Sequence, residues 1–206
     1  MILRIHPDNP GERHLKTITD CLHGGGVIIY PTDTVYGLGC DITRIRAVDR
    51  VAQIKGIRKE KANFSFICYS LSQLSDYTHP ISNLVYKLMR KALPGPYTFI
   101  LNANNNVPHF FQSRKRTVGI RIPGHQVPLQ IVENLGNPIM TTSIHHEDQI
   151  VDYLTDPADI YEKFKNLVDI VIDSGPCGNV PSTVIDCTGE EPVVVRQGKG
   201  HLIDLF

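Results

Sequence analysis

Apolar residues recur along this chain in two rhythms. Short continuous runs such as Val27-Ile28-Ile29-Tyr30 read as buried strands, and spans in which apolar residues return every three or four positions read as helices. Residues 2–5 predict an edge strand. Residues 11–23 predict a helix capped by Asp8 or Asn9, with Pro10 in its first turn, that stops at Gly24-Gly25-Gly26. Residues 27–30 form the next strand. Ile45, Val48, Val51 and Ala52 mark a helix over 44–55 capped by Thr43. A strand over 64–69, a helix over 83–92 ended by Leu93-Pro94-Gly95-Pro96, and a strand over 97–101 follow, then a polar loop over 102–106. The rest reads as a strand over 117–122, a helix over 127–135 ended by Gly136, a strand over 138–142 and a helix over 157–165. Late strands are expected over 168–172, 183–187 and 192–196. Strands and helices alternate without a repeat or linker, and three closely spaced late strands argue against a purely parallel sheet. The expectation is an α/β protein with one domain over residues 1–206 and a mixed sheet flanked by helices.

Composition narrows the class. The 206 residues suit one ordinary domain, and 41% hydrophobic with 20% charged residues is the balance of a soluble globular protein. There is no run of 18 apolar residues, and the first residues lack the long apolar stretch of a signal peptide. Five scattered cysteines with no C-x-x-C pair argue against a disulfide framework or a zinc site and suit a reducing, cytoplasmic location. With 21 basic and 21 acidic residues the net charge is zero, which disfavours a general nucleic-acid binder but allows local basic runs at 55–61 and 114–116. His145-His146-Glu147-Asp148 has no metal-ligand spacing, so no protein-held metal is expected. Phe64, Phe66, Phe110 and Phe111 read as core, not as base-stacking platforms.

The chemistry concentrates in Tyr30-Pro31-Thr32-Asp33-Thr34-Val35-Tyr36-Gly37-Leu38-Gly39, which follows a buried strand and precedes a helix. At the carboxyl end of a strand, such a segment lies where open α/β sheets place ligand crevices. It offers hydroxyls, a carboxylate and glycines but no nucleophile–base pair. After it come Lys55-Gly-Ile-Arg58, Pro94-Gly-Pro-Tyr-Thr-Phe99, Val118-Gly-Ile-Arg-Ile-Pro123, Thr141-Thr-Ser143, Pro181-Ser-Thr-Val-Ile-Asp186 and Val195-Arg-Gln-Gly198. In this order and spacing, from about residue 26 to 198, the chain resembles the YrdC/YciO family, whose best-known members are threonylcarbamoyl-AMP synthases.

The resemblance implies a twisted mixed sheet with flanking helices and a large concave cavity. It also implies a reaction that joins threonine, bicarbonate and ATP (with Mg2+ from solution) into threonylcarbamoyl-AMP, the activated intermediate of tRNA threonylcarbamoyladenosine modification, with release of pyrophosphate. Threonine carbamate already carries the attacking carboxylate, so no catalytic side chain is demanded; the protein positions two anions and neutralises charge. By resemblance, Lys55, Arg58, Ser143, His145 and Arg196 form the nucleotide-binding half. Thr32, Thr34, Arg121, Ser182 and Thr183 form the amino-acid half, with Arg121 gripping the carboxylate. Two departures fall in the nucleotide half. The synthase pattern Lys-x-Arg is Lys55-x-x-Arg58 here, and Ser-x-Asn is Ser143-x-His145. Both place the chain nearer the YciO branch. A second expectation follows from the fold family's association with nucleic acid: double-stranded RNA or tRNA binding on the positively lined concave surface, with weak or no synthase activity.

Overall fold

The computed structural model describes residues 1–57, 64–111, 116–144 and 154–201. Its elements in chain order are β1 (Ile2–Arg4), α1 (Glu12–His23), β2 (Val27–Tyr30), β3 (Gly37–Asp41), α2 (Ile45–Lys55) and β4 (Ser65–Ile67). Next come α3 (Leu71–Ser75), α4 (Asn83–Ala92), β5 (Tyr97–Asn102), a 3-10 turn (His109–Phe111), β6 (Thr117–Arg121) and α5 (Gln126–Leu135). The chain continues through β7 (Ile139–Ser143), α6 (Pro157–Phe164), β8 (Ile170–Asp173), β9 (Thr183–Asp186) and β10 (Val193–Arg196). Among the described residues the strands form a single ten-stranded sheet in the order β1-β8-β2-β3-β7-β4-β6-β5-β9-β10. It is mixed, as expected: β1–β8, β2–β8, β4–β6 and β5–β9 are parallel and the remaining pairs antiparallel. β1 is an edge, also as expected.

Three expectations are corrected. The polar segment after β2 does not run directly into a helix. The chain returns as β3, a hairpin partner of β2 with Tyr30 opposite Gly37 and Val27 opposite Cys40. Helix α1 is capped at Gly11, not at Asp8 or Asn9, and α2 begins after Arg44, not after a Thr43 cap. The Thr43 amide and hydroxyl donate instead to the buried Asp41 carboxylate, at 2.8 Å each. The short α3, begun by the Ser70 hydroxyl accepting from the Gln73 amide, lay below the length at which helical spacing is legible.

Strand alternation sends side chains to two unequal faces. One face carries Ile29, Leu38, Phe66, Phe99, Val118, Ile120 and Met140 and is covered by Val48 and Val51 of α2, Leu88 and Met89 of α4, and Ile160 and Phe164 of α6. The other face carries Ile28, Tyr30, Ile67, Ile139 and Ile170. It is covered by Leu15, Ile18 and Leu22 of α1 and by Val127, Ile131 and Leu135 of α5. These two helices reach only part of that face. Beyond them, over β3, β7, β4, β6, β5 and β9, the same side of the sheet presents Gly37, Thr141, Ser143, Ser65, Thr117, Gly119, Arg121, Thr98, Ile100 and Val184 to a cavity.

Candidate active site

The cavity is about 450 Å³, within the range of small-molecule sites. Its floor is small and polar, and among the described residues no helix packs on it. Gly119 lets β6 lie close to β4: a Cβ there would come within 2.5 Å of the Ser65 Oγ. Gly37 and Gly39 make room for the Tyr30 ring, whose hydroxyl donates to Thr141 Oγ1 at 2.5 Å. The wall beside the floor is apolar, with Phe64, Val107, Phe110, Phe111 and Ile100. Phe66 is fully buried, and Phe64, Phe110 and Phe111 are partly buried and pack against the core while also lining the cavity, so the reading of all four as core holds. Phe111 meets Phe64 and Phe66 edge-on, with centroids 6.4 and 5.2 Å apart.

Five of the ten expected site residues line this cavity: Thr32, Arg121, Ser143, Ser182 and Arg196. Arg121, at the end of β6, is buried. Its Nη2 donates to Asp33 Oδ1 in a short contact and lies 3.4 Å from Thr32 Oγ1. Thr32 Oγ1 donates to the Val35 carbonyl at 2.6 Å and accepts the Thr34 amide at 3.1 Å, so the hairpin connection is folded around this one hydroxyl. Ser182 Oγ pairs with Thr98 Oγ1 at 2.8 Å, and Arg196 donates from Nε and Nη2 to the Ser182 carbonyl at 3.3 and 2.9 Å.

Three expected residues lie behind the wall. Thr34 is fully buried with its Oγ1 3.1 Å from that of Thr32. Thr183, also fully buried, donates to the Gly200 carbonyl and accepts the Gly198 amide, which pins the loop after β10. Lys55, at the end of α2, is buried and donates from Nζ to the Ser143 carbonyl at 3.0 Å, beside the cavity but not among its lining residues. Arg58 and His145 lie outside the described residues, as do the rest of the His145–Asp148 cluster and Arg114 and Lys115.

The sequence reading passed over Ser65, Thr98, Gly119 and Thr141. Their signal was the alternation of small polar residues with apolar ones, most visible in Thr117-Val118-Gly119-Ile120-Arg121. It also passed over Lys199, whose Nζ donates to the Asp33 carbonyl at 2.5 Å and ties the last loop to the hairpin connection. Burial pushes the Tyr30 and Tyr36 hydroxyls well above their ordinary range, and burial raises the Cys177 thiol to about 11. What the site offers is a cation at the wall, a second cation at the rim and a field of hydroxyls, a set suited to holding anions.

The Sua5/YciO/YrdC family profile, described as telomere recombination, matches residues 20–198. The chain belongs to this family. It is 38% identical over 199 residues to YciO of Escherichia coli, covering 96% of this chain and 95% of that one. The E. coli YciO crystal structure superposes with a TM-score of 0.92 at 36% identity over 100% of this chain and 99% of that chain. A threonylcarbamoyl-AMP synthase of Coxiella burnetii is 31% identical over 185 residues, 87% of this chain and 97% of that protein. Pyrococcus abyssi Sua5 in complex with L-threonine superposes with a TM-score of 0.87 at 28% identity, over 96% of this chain and 57% of that chain. Among the described residues no helix is long and apolar enough to cross a membrane.

Proposed function

We propose that this protein is a threonylcarbamoyl-AMP synthase-like enzyme that activates the carbamate of threonine with ATP. The observation that carries the reading is the buried Arg121 beside Thr32, on the part of the sheet face that α1 and α5 leave open, in a fold shared with a threonine-bound relative. Arg121 holds the amino-acid carboxylate, and the hydroxyls of Thr32, Ser182 and Thr98 read the polar groups beside it. Arg196 and Lys55, with Arg58, neutralise the triphosphate. The described lining residues include no Asp or Glu, and on this reading Mg2+ is carried in on the nucleotide's own phosphate oxygens. Bicarbonate and threonine combine first, and the new carbamate oxygen attacks the α-phosphorus while pyrophosphate departs. The protein contributes proximity and charge, not a nucleophile.

The test is pyrophosphate release that requires threonine, bicarbonate and ATP together. Release that is independent of threonine, or absent, refutes the reading. Salt-dependent binding of double-stranded RNA or tRNA without turnover would support the nucleic-acid reading instead. The two departures, Lys55-x-x-Arg58 and His145, lie in the nucleotide half, so ATP is the substrate expected to bind less well than in a Ser-x-Asn relative.

A further inference from the structure

The most informative contact in the site is the one that Arg121 already makes. A guanidinium has two edges able to grip a carboxylate, the side-on edge of Nε and Nη2 and the end-on edge of Nη1 and Nη2. Asp33 engages the guanidinium at Nη2, the atom common to both edges, which donates to its Oδ1. The two atoms that would complete a side-on fork, Arg121 Nε and Asp33 Oδ2, are both enclosed and lack a hydrogen-bond partner.

Asp33 does this from outside the cavity. Arg121 is a lining residue and Asp33 is not. The Asp33 carboxylate is packed under Gly124, where a Cβ would lie 3.4 Å from Oδ2, and its backbone carbonyl is held by Lys199. The enclosed Nε is not the atom that Arg121 offers to the cavity, and the cation there is already paired with Asp33.

We infer that Asp33 is a specificity-determining positioning residue: it holds the Arg121 guanidinium at Nη2, and it cancels the charge so that this end takes a singly charged carboxylate and rejects phosphate. The inference rests on the proposed function and deepens it. A carboxylate needs two N–H donors and carries one charge. A phosphate dianion brought against a neutral pair must shed its water without a net countercharge, which is costly in a buried site. Arg196 differs in that its bonds go to the Ser182 carbonyl, which leaves its charge uncancelled by them. In one cavity that must accept an amino acid and a triphosphate, this difference keeps phosphate away from the amino-acid end.

The experiment is calorimetric titration of wild type, Asp33→Asn and Asp33→Ala with inorganic phosphate and, separately, with L-threonine. Asp33→Asn keeps an oxygen to accept Nη2 but removes the charge. It is expected to leave threonine affinity within about threefold and to raise phosphate affinity at least about tenfold, with phosphate now competing against threonine. Asp33→Ala removes the acceptor as well and is expected to weaken threonine at least about tenfold. Unchanged phosphate affinity in Asp33→Asn overturns the inference, as does full threonine affinity in Asp33→Ala. Wild type that fails to bind threonine refutes the proposed function itself. The phosphate titrations need no threonine and decide the role of Asp33 separately.

Discussion

Gly119→Ala tests whether the floor of the cavity is as tight as the geometry requires. The added methyl would lie 2.5 Å from Ser65 Oγ, 3.3 Å from Ser65 Cβ and 3.6 Å from Thr98 Cγ2. The last is an ordinary contact, and the second is slightly compressed. The first is about half an ångström inside the closest separation a real Cβ tolerates, so Ser65 must rotate or β4 and β6 must part. Overpacking of this kind costs about 1–3 kcal/mol. Ser65→Ala removes the offending oxygen and leaves only the 3.3 Å contact. The double variant should therefore be more stable than the sum of the two single changes by at least about 1 kcal/mol. Urea denaturation of wild type, both single variants and the double variant, compared at equal m-value, measures that coupling. Additivity within about 0.5 kcal/mol would show that β4 and β6 yield freely and that the close approach of Gly119 to Ser65 does not set the floor.

Arg121→Met strands the Asp33 carboxylate and should cost about 3–5 kcal/mol in denaturant, much of it recovered when Asp33→Asn is added. His125 caps α5 by accepting the Val127 amide at Nδ1, 3.2 Å away, and burial lowers its pKa below the ordinary 6.5. The cap needs the neutral ring, so its contribution is complete above the unfolded value and lost as pH falls through the lower folded one. The denaturation midpoint should drop between pH 7.5 and pH 5, and less so in His125→Asn. Burial raises the Cys21 thiol to about 11 and the Cys187 thiol to about 12, and holds Cys40 and Cys68 higher still. Alkylation by iodoacetamide at pH 8 should therefore be far slower in the native protein than in urea. Thr32→Val deletes the hydroxyl that bonds both the Val35 carbonyl and the Thr34 amide, and should cost about 1–3 kcal/mol in stability and weaken threonine binding in calorimetry.

Much of the architecture was readable because strand and helix rhythms differ, and the motif order identified the family. What escaped the sequence had local physical causes. β3 is Gly-Leu-Gly-Cys-Asp, and two glycines suppress the strand signal; β2 on one side and β7 on the other make it a strand. Thr34 and Thr183 carry the same hydroxyl as Thr32, but only Thr32 of the three lines the cavity, a distinction only the folded chain makes. Arg121 was legible as a cation on an otherwise apolar strand. Its partner Asp33 was in plain view within the strongest motif, yet nothing in spacing alone couples positions 33 and 121. The part of the sheet face that α1 and α5 leave open emerges only once these helices are seen to stop short of β5 and β6.

The strand order also constrains how the chain assembles as it is synthesised. β2 lies beside β8, with Ile28 opposite Ile170, and β1 reaches the sheet only through β8, with Ile2 opposite Val171. β5 likewise waits for β9, with Thr98 opposite Val184. Until the last quarter of the chain leaves the ribosome, the block from β2 to β7 has two open edges, both flanked by apolar side chains, and β1 has no partner. Such long-range parallel pairings close slowly. A nascent chain ending before β8 is therefore the species most prone to pair with another copy of itself, and the one that a chaperone able to shield strand edges would protect.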